Sequence, residues 1–264
     1  MIELKDIEFS YDKKVLNKIN LKIQKGEKVA FLGENGCGKS TLFLILNGIL
    51  KPEKGIYILE NNIINHSKKD LIKLRQKIGM VFQDPEVQII ANTVFQEVSF
   101  GPKNMGLEKQ KIIQNTEKAL NELNLIDLKD RACHLLSYGQ KKRVSIADII
   151  AMEVDIFILD EPTVWLDPKN KKNMINILNK LNKKNNTIII STHDVNFAYE
   201  WAEKIFIMKD GKIETQGTPD EVFENKDLIK QCNLDIPLLL KAYNEISKHI
   251  KIDKDQFIEN ILKS

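Results

Sequence analysis

Eight consecutive residues, Gly33-Glu34-Asn35-Gly36-Cys37-Gly38-Lys39-Ser40, fit the pattern G-x-x-x-x-G-K-[ST]. Glycines at this spacing let successive backbone N–H groups curl inward around phosphate oxygens. Lys39 then places an ammonium between the β and γ phosphates of a nucleotide, and a helix starting there adds the positive end of its dipole. Ser40 supplies a hydroxyl to Mg²⁺. The segment predicts a nucleotide-phosphate site contacted from Gly33 through Thr41, with Cys37 only filling space. A second pair of groups stands at Asp160-Glu161, directly after four apolar residues, Ile156-Phe157-Ile158-Leu159. Asp160 is expected to hold Mg²⁺, and Glu161 to polarise an attacking water from within a crowded anionic site.

Both motifs need a strand to present them. Residues 28–32 form a short apolar run ending at Gly33, and residues 39–48 read as the following helix. Residues 156–159 read as a central parallel strand, whose C-terminal edge is where ligands of doubly wound sheets bind. Further strands are expected over 1–10, 19–23, 55–59, 78–82 and 187–190, and a hairpin over 205–208 and 212–215 around Asp210-Gly211. Helices are expected over 68–77, 140–152, 168–181 and 195–201. Between about 84 and 130 the pattern changes to a helical insert, with pieces at 93–100 and 108–123 and Gly101-Pro102 as punctuation. After Pro219 the tail reads as short helices, of which 236–246 is the most apolar. The result is an α/β nucleotide-type core with an inserted helical lobe and a helical tail.

Composition narrows the classes further. Apolar residues are 42% and charged residues 29% of 264, an ordinary globular balance. Forty Lys and Arg against 37 Asp and Glu leave +3, too even to imply a nucleic-acid partner. Cys37, Cys133 and Cys232 are too few and too scattered for a disulfide framework or a zinc site, so a reducing compartment is expected. The first residues, MIELKDIEF, lack the basic start and apolar run of a signal peptide. The best apolar run, residues 42–50, is broken by Asn47 and Gly48 and is far short of the ~20 residues a spanning helix needs.

A third segment decides the class. Leu136-Ser137-Tyr138-Gly139-Gln140 precedes a helix, and the acidic strand follows shortly after. Here the sequence resembles the nucleotide-binding domain of ATP-binding cassette (ABC) proteins, whose signature is close to L-S-G-G-Q. The other markers of that family occur in order: Tyr11, the phosphate loop, Gln83, Asp160-Glu161, Asp167 and His193. The resemblance implies a P-loop NTPase domain over residues 1–220, with an N-terminal antiparallel β subdomain and a helical subdomain inserted at about 84–153. Residues 221–264 become a C-terminal helical extension. It implies that two such domains face head to tail, each ATP lying between one phosphate loop and the other chain's signature helix. Ser137, Gly139 and Gln140 then act in trans. Tyr11 stacks on adenine, Gln83 senses Mg²⁺ and the water, and His193 contacts the γ-phosphate.

Three residues depart from the family pattern. Tyr138 stands where most members have Gly, Trp165 where small residues are preferred, and Asp148 where related importers tend to have a small residue. The stretch VFQDPEVQIIANTVFQEVSFGP, residues 81–102, resembles the ATPases of energy-coupling-factor importers, the branch serving cobalt, nickel and vitamin uptake. That branch implies a second ATPase subunit, identical or paralogous, an integral membrane coupling protein and a substrate-binding membrane component. The chain would sit peripherally on the cytoplasmic face of the membrane. Val87, Ile89, Ile90, Val94 and Phe95 are then expected to line an apolar groove for a partner helix. The competing reading is a soluble ABC ATPase acting on nucleic acid or ribosomes. It calls for tandem cassettes, a coiled-coil insertion or a basic face, against which stand one cassette, a compact helical lobe and a net charge of +3, so the transport motor is the favoured expectation.

Overall fold

The computed structural model describes residues 1–250 and 253–263. Its strands are β1 (Ile2–Ser10), β2 (Lys14–Ile23), β3 (Lys28–Leu32), β4 (Lys54–Leu59), β5 (Asn62–Ile63), β6 (Ile78–Val81), β7 (Ile156–Leu159), β8 (Thr187–Ser191), β9 (Lys204–Lys209) and β10 (Lys212–Gly217). They form two sheets, an antiparallel one ordered β2-β1-β4-β5 and a larger one ordered β10-β9-β3-β8-β7-β6. In the larger sheet every pairing from β9 to β6 is parallel, and only β10 runs antiparallel at the edge. A parallel strand is covered on both faces, which is why β3, β7 and β8 are apolar throughout rather than alternating. Val29, Phe31, Ile156, Ile158 and Ile189 point into one core. Ala30, Leu32, Phe157, Leu159, Ile188 and Ile190 point into the other.

The first core is closed by α1 (Lys39–Leu46) and by the inner face of the antiparallel sheet, with Leu4, Ile7, Leu16 and Ile19 buried there. The alternation expected at the N-terminus slips by register shifts between Leu4, Ile7 and Phe9, where Asp6 takes a positive φ of 49°. Helix α2 (Lys68–Lys77), which leads into β6, buries Leu74 in this first core. The second core lies under the helical lobe, where α3 (Val94–Val98), α4 (Phe100–Asn104) and α5 (Lys109–Glu122) pack around α6 (Tyr138–Ala151). Beyond it come α7 (Pro168–Lys183) and α8 (Val195–Trp201), then the tail helices α9 (Pro219–Glu224), α10 (Lys226–Gln231), α11 (Leu238–Ile246) and α12 (Lys254–Lys263). In α11 only Leu240 is buried on the core, while Leu238 and Ile246 are exposed.

Two expectations need correcting. Gly101-Pro102 does not break the lobe, because it sits inside the first turn of α4. Pro is accommodated there since first-turn N–H groups have no intrahelical acceptor. Val94 does not line a surface groove either. It is wholly buried as the first residue of α3, behind a capping box made by Thr93 and Gln96. Of the five residues expected to line the groove, Val87 and Ile90 are exposed, and Ile89 and Phe95 pack partly against the core.

Asp148 turns inward from α6 toward Glu97, and its Oδ1 is enclosed without a hydrogen-bond partner. Burial, and then the charge of Glu97, push its carboxyl up to about 7, against a hydrogen bond from the Gly101 backbone. A carboxyl raised by folding from its ordinary 3.8 contributes stability at low pH that is lost as pH climbs toward 7. Asp148→Asn should therefore be more stable than the parent at pH 8, by up to about 4 kcal/mol, with a smaller gap at pH 5. Thermal melts at both pH values check this, and an equal gap at both would contradict it.

Candidate nucleotide site

The phosphate loop leaves β3 at Leu32 and enters α1 at Lys39. Its glycines are required by close approaches as well as by torsion. Gly33 has φ 150°, and a Cβ there would lie 2.2 Å from the Met208 carbonyl oxygen. At Gly38, φ is 108° and a Cβ would meet Leu16 Cδ2 at 2.8 Å. The hairpin β9–β10 and strand β2 thus press the loop from behind. Lys39 is buried, and its Nζ donates to the carbonyl oxygens of Gly33 at 2.6 Å and Glu34 at 3.0 Å. Cys37 is buried behind the loop, consistent with a space-filling residue.

One cavity gathers Asn35, Gly36, Gly38, Lys39, Ser40 and Thr41 with Gln83, Asp160 and Glu161. The acids reach it because β7 lies between β6 and β8, so the chain emerges at the sheet's C-terminal edge beside the phosphate loop. Glu161 has φ 46°, a left-handed conformation that a branched or long residue rarely takes without compensation. Ser191, at the end of β8, supplies part of it. Its hydroxyl donates a short hydrogen bond to Asp160 Oδ1 and accepts the Glu161 N–H at 2.9 Å. Glu161 Oε1 lies 3.2 Å from His193 Nδ1, while its enclosed Oε2 has no hydrogen-bond partner among the described residues. His193 itself is largely exposed and does not line this cavity; it lines a neighbouring one with Gly33, Glu34, Asn35 and Asn233. A hydroxyl, an amide oxygen and a carboxylate, from Ser40, Gln83 and Asp160, are hard oxygen donors, a set that fits Mg²⁺ shared with phosphate oxygens.

Gln83 follows β6, and the chain before it is pinned by Gln88, whose Oε1 accepts the Phe82 N–H at 3.1 Å. From the other side, Lys142 reaches in from α6. It is wholly buried and donates to the carbonyl oxygens of Phe82 at 2.9 Å and Gln83 at 2.7 Å. Burial pushes its ammonium down to about 8, opposed by the charges of Asp160, Asp84 and Glu161. Sequence reasoning missed both Lys142 and Ser191. The available signal was a lysine one turn before Ile146 on the buried face of α6, where a charge needs a partner.

The signature turn is built as a helix cap. Ser137 Oγ accepts the Gln140 N–H at 3.3 Å, and Gln140 Oε1 accepts the Ser137 N–H at 2.9 Å. Gly139 faces Asn170, near the start of α7, where a Cβ would be 3.6 Å from Asn170 Cγ. None of Ser137, Gly139 and Gln140 lines the cavity that holds the phosphate loop. Tyr138 and Trp165 pack edge to face, ring centroids 5.6 Å apart, with Trp165 70% exposed. Asp167 caps α7 through the Asn170 N–H at 2.9 Å. Tyr11 stands exposed between β1 and β2, edge-on to Phe9 at 4.9 Å, and does not line the cavity. Glu34 turns the other way and accepts from Asn233 Nδ2 at 3.0 Å, so the tail touches the phosphate loop. On the helical lobe, a groove of about 400 Å³ is lined by Glu86, Ile89, Ile90, Ala91, His134 and Lys141 among others. Among the described residues no helix is long and apolar enough to cross a membrane.

A family model described as ABC transporter matches residues 16–164. The energy-coupling factor transporter ATP-binding protein EcfA2 of Methanospirillum hungatei is 46% identical over 248 residues, covering 93% of this chain and 62% of that protein. The chain thus spans about three fifths of that relative's length. Among solved structures, cbiO1 from Clostridium perfringens, part of the ABC transporter complex cbiONQ, is 42% identical. It superposes with a TM-score of 0.77 over 88% of this chain and 94% of that one. A dimeric ATP-binding cassette in a post-hydrolysis state, bound to ADP and Pi, is 30% identical with a TM-score of 0.76. That match covers 83% of this chain and 99% of the cassette.

Proposed function

This chain belongs to the ABC transporter ATP-binding family, and from that premise we propose that it is the ATP-hydrolysing motor of an energy-coupling-factor importer. Two ATPase subunits, copies of this chain or this chain with a paralogue, close around two ATP molecules and drive import through membrane partners. The observation that carries this reading is the position of the signature turn. The N-terminus of α6, with its cap at Ser137, presents backbone N–H groups suited to a phosphate, yet it lies outside the cavity of its own phosphate loop. A second chain's nucleotide is the partner that such a surface fits, and the related cassette bound to ADP and Pi is a dimer.

The geometry supports the following roles on this reading. Lys39 and the loop N–H groups bind the β and γ phosphates, and Glu161 takes the proton of the attacking water through its enclosed, unpartnered Oε2. His193, held against Glu161 Oε1, orients that carboxylate and reaches the terminal phosphate from the exposed side. Ser40, Gln83 and Asp160 would hold Mg²⁺, which when bound neutralises charge on the transferring phosphoryl group. Exposed Ile90, which lines the groove on the helical lobe, and exposed Val87, next in sequence to the lining residue Glu86, form the docking surface for a membrane-partner helix. The imported substrate on this reading is a cobalt or nickel ion or a vitamin.

Mixing two disabled variants tests the shared site. Ser137→Arg keeps a phosphate loop without a usable signature, and Lys39→Ala the reverse, so each alone should be nearly inactive. Random exchange makes half the dimers mixed, each with one intact site of two, and restores about a quarter of the parent rate. No recovery on mixing would overturn the site shared between copies of this chain.

A further inference from the structure

The first turns of α6 grip the Gln83 loop with groups that the phosphate chemistry itself does not need. One oxygen, the Gln83 carbonyl, receives both the Lys142 ammonium at 2.7 Å and the Tyr138 hydroxyl at 3.1 Å. Lys142 also holds the Phe82 carbonyl at 2.9 Å, and Lys141 pairs with Glu86 at 2.5 Å. Packing alone does not explain Lys142, because an apolar side chain would fill the same space without the cost of burying a charge. The two carbonyls offset that cost only while they stay in place, so the contact is stiff. Tyr138 in turn is braced by the ring of Trp165, which holds its hydroxyl over the loop. The two aromatic departures from the family pattern therefore work together on one backbone atom.

We propose that Tyr138 and Lys142 are positioning residues for Gln83, locking its loop to the start of α6 so that the two move as one body. Gln83 faces the chain's own nucleotide, whereas Ser137 and Gly139, on the same helix, face the nucleotide of the second chain. The clamp carries the arrival of the second chain's γ-phosphate at α6 directly to the residue that places metal and water at the first site. This inference rests on the proposed function.

The test uses the full-length protein with Lys142→Met, Lys142→Arg, Tyr138→Phe and the Met/Phe double variant. ATP turnover, ATP binding, melting temperature and backbone amide exchange over residues 82–88 are measured for each. In Lys142→Met, kcat should fall about ten- to hundredfold, as expected for a reacting group displaced by a fraction of an ångström. The ATP dissociation constant should stay within about twofold, since the phosphate loop is untouched. Amide exchange over 82–88 should rise without nucleotide, and Lys142→Arg should recover most of the turnover. Tyr138→Phe should show a smaller loss, and because both donors share one acceptor, it should cost more in the Lys142→Met background, where the Gln83 carbonyl keeps neither donor, than alone. Unchanged kcat in the folded variants overturns the clamp. So does a parallel fall in kcat, ATP affinity and melting temperature that Arg does not rescue. If Lys142→Met does not fold, Tyr138→Phe, which removes a single oxygen, decides by the same readings. Absence of ATPase in the unaltered protein is a different failure: it overturns the function reading, and this inference falls with it.

Discussion

Glu161→Gln should lower ATP turnover by at least about a hundredfold while leaving ATP trapped between two chains. The substitution preserves the volume at a buried position and still offers an oxygen toward His193, so the local packing against Ser191 and Asp160 is kept. What it removes is the basic carboxylate oxygen that the fold leaves enclosed and unpartnered. A group placed that way accepts a proton from water, and its loss removes general-base assistance without touching the phosphate-binding donors. Phosphate release reads the first half of the expectation, and molar mass by light scattering with and without ATP reads the second. Turnover near the parent level would take Glu161 out of the reaction.

Lys39→Ala should weaken ATP binding by at least about tenfold, because a charge-assisted bond to phosphate contributes roughly 1.5–3 kcal/mol. There is a second contribution. The Lys39 ammonium is bonded to the Gly33 and Glu34 carbonyls, so it holds the loop in shape as well as facing the phosphates. Alanine leaves those carbonyls without that donor, and the loop must be ordered again when nucleotide binds. Calorimetric titration with Mg·ATP gives the affinity directly. An unchanged dissociation constant would exclude Lys39 from the site.

The accessible parts of the site were those whose chemistry is local. Gly33 through Ser40 is one turn between a strand and a helix, and Asp160-Glu161 follow a strand by one residue. The hairpin at Asp210-Gly211 was equally plain, since both residues take positive φ, 46° and 74°, as that turn demands. Val94 misled because one apolar residue in a short amphipathic segment does not say which side is covered. The answer came from α3 packing on α6. The two-residue strand β5 gave too short a pattern to stand out, and Gly101-Pro102 is ambiguous because the same pair suits a turn or a helix start.

Sequence alone determined the phosphate loop, the acids behind it, the order of the elements and the family they resemble, because each rests on spacings of a few residues. Tertiary structure alone decided how those pieces are held. Ser191 meets Asp160 and Glu161 across 31 and 30 positions, and Tyr138 and Lys142 meet Gln83 across 55 and 59. Such contacts leave no periodic trace, since they depend on which strands become neighbours and on where a buried ammonium or hydroxyl finds an acceptor. The signature turn shows both sides: its capping residues are legible in five letters, but that Ser137, Gly139 and Gln140 lie outside the cavity of their own phosphate loop is a property of the folded chain.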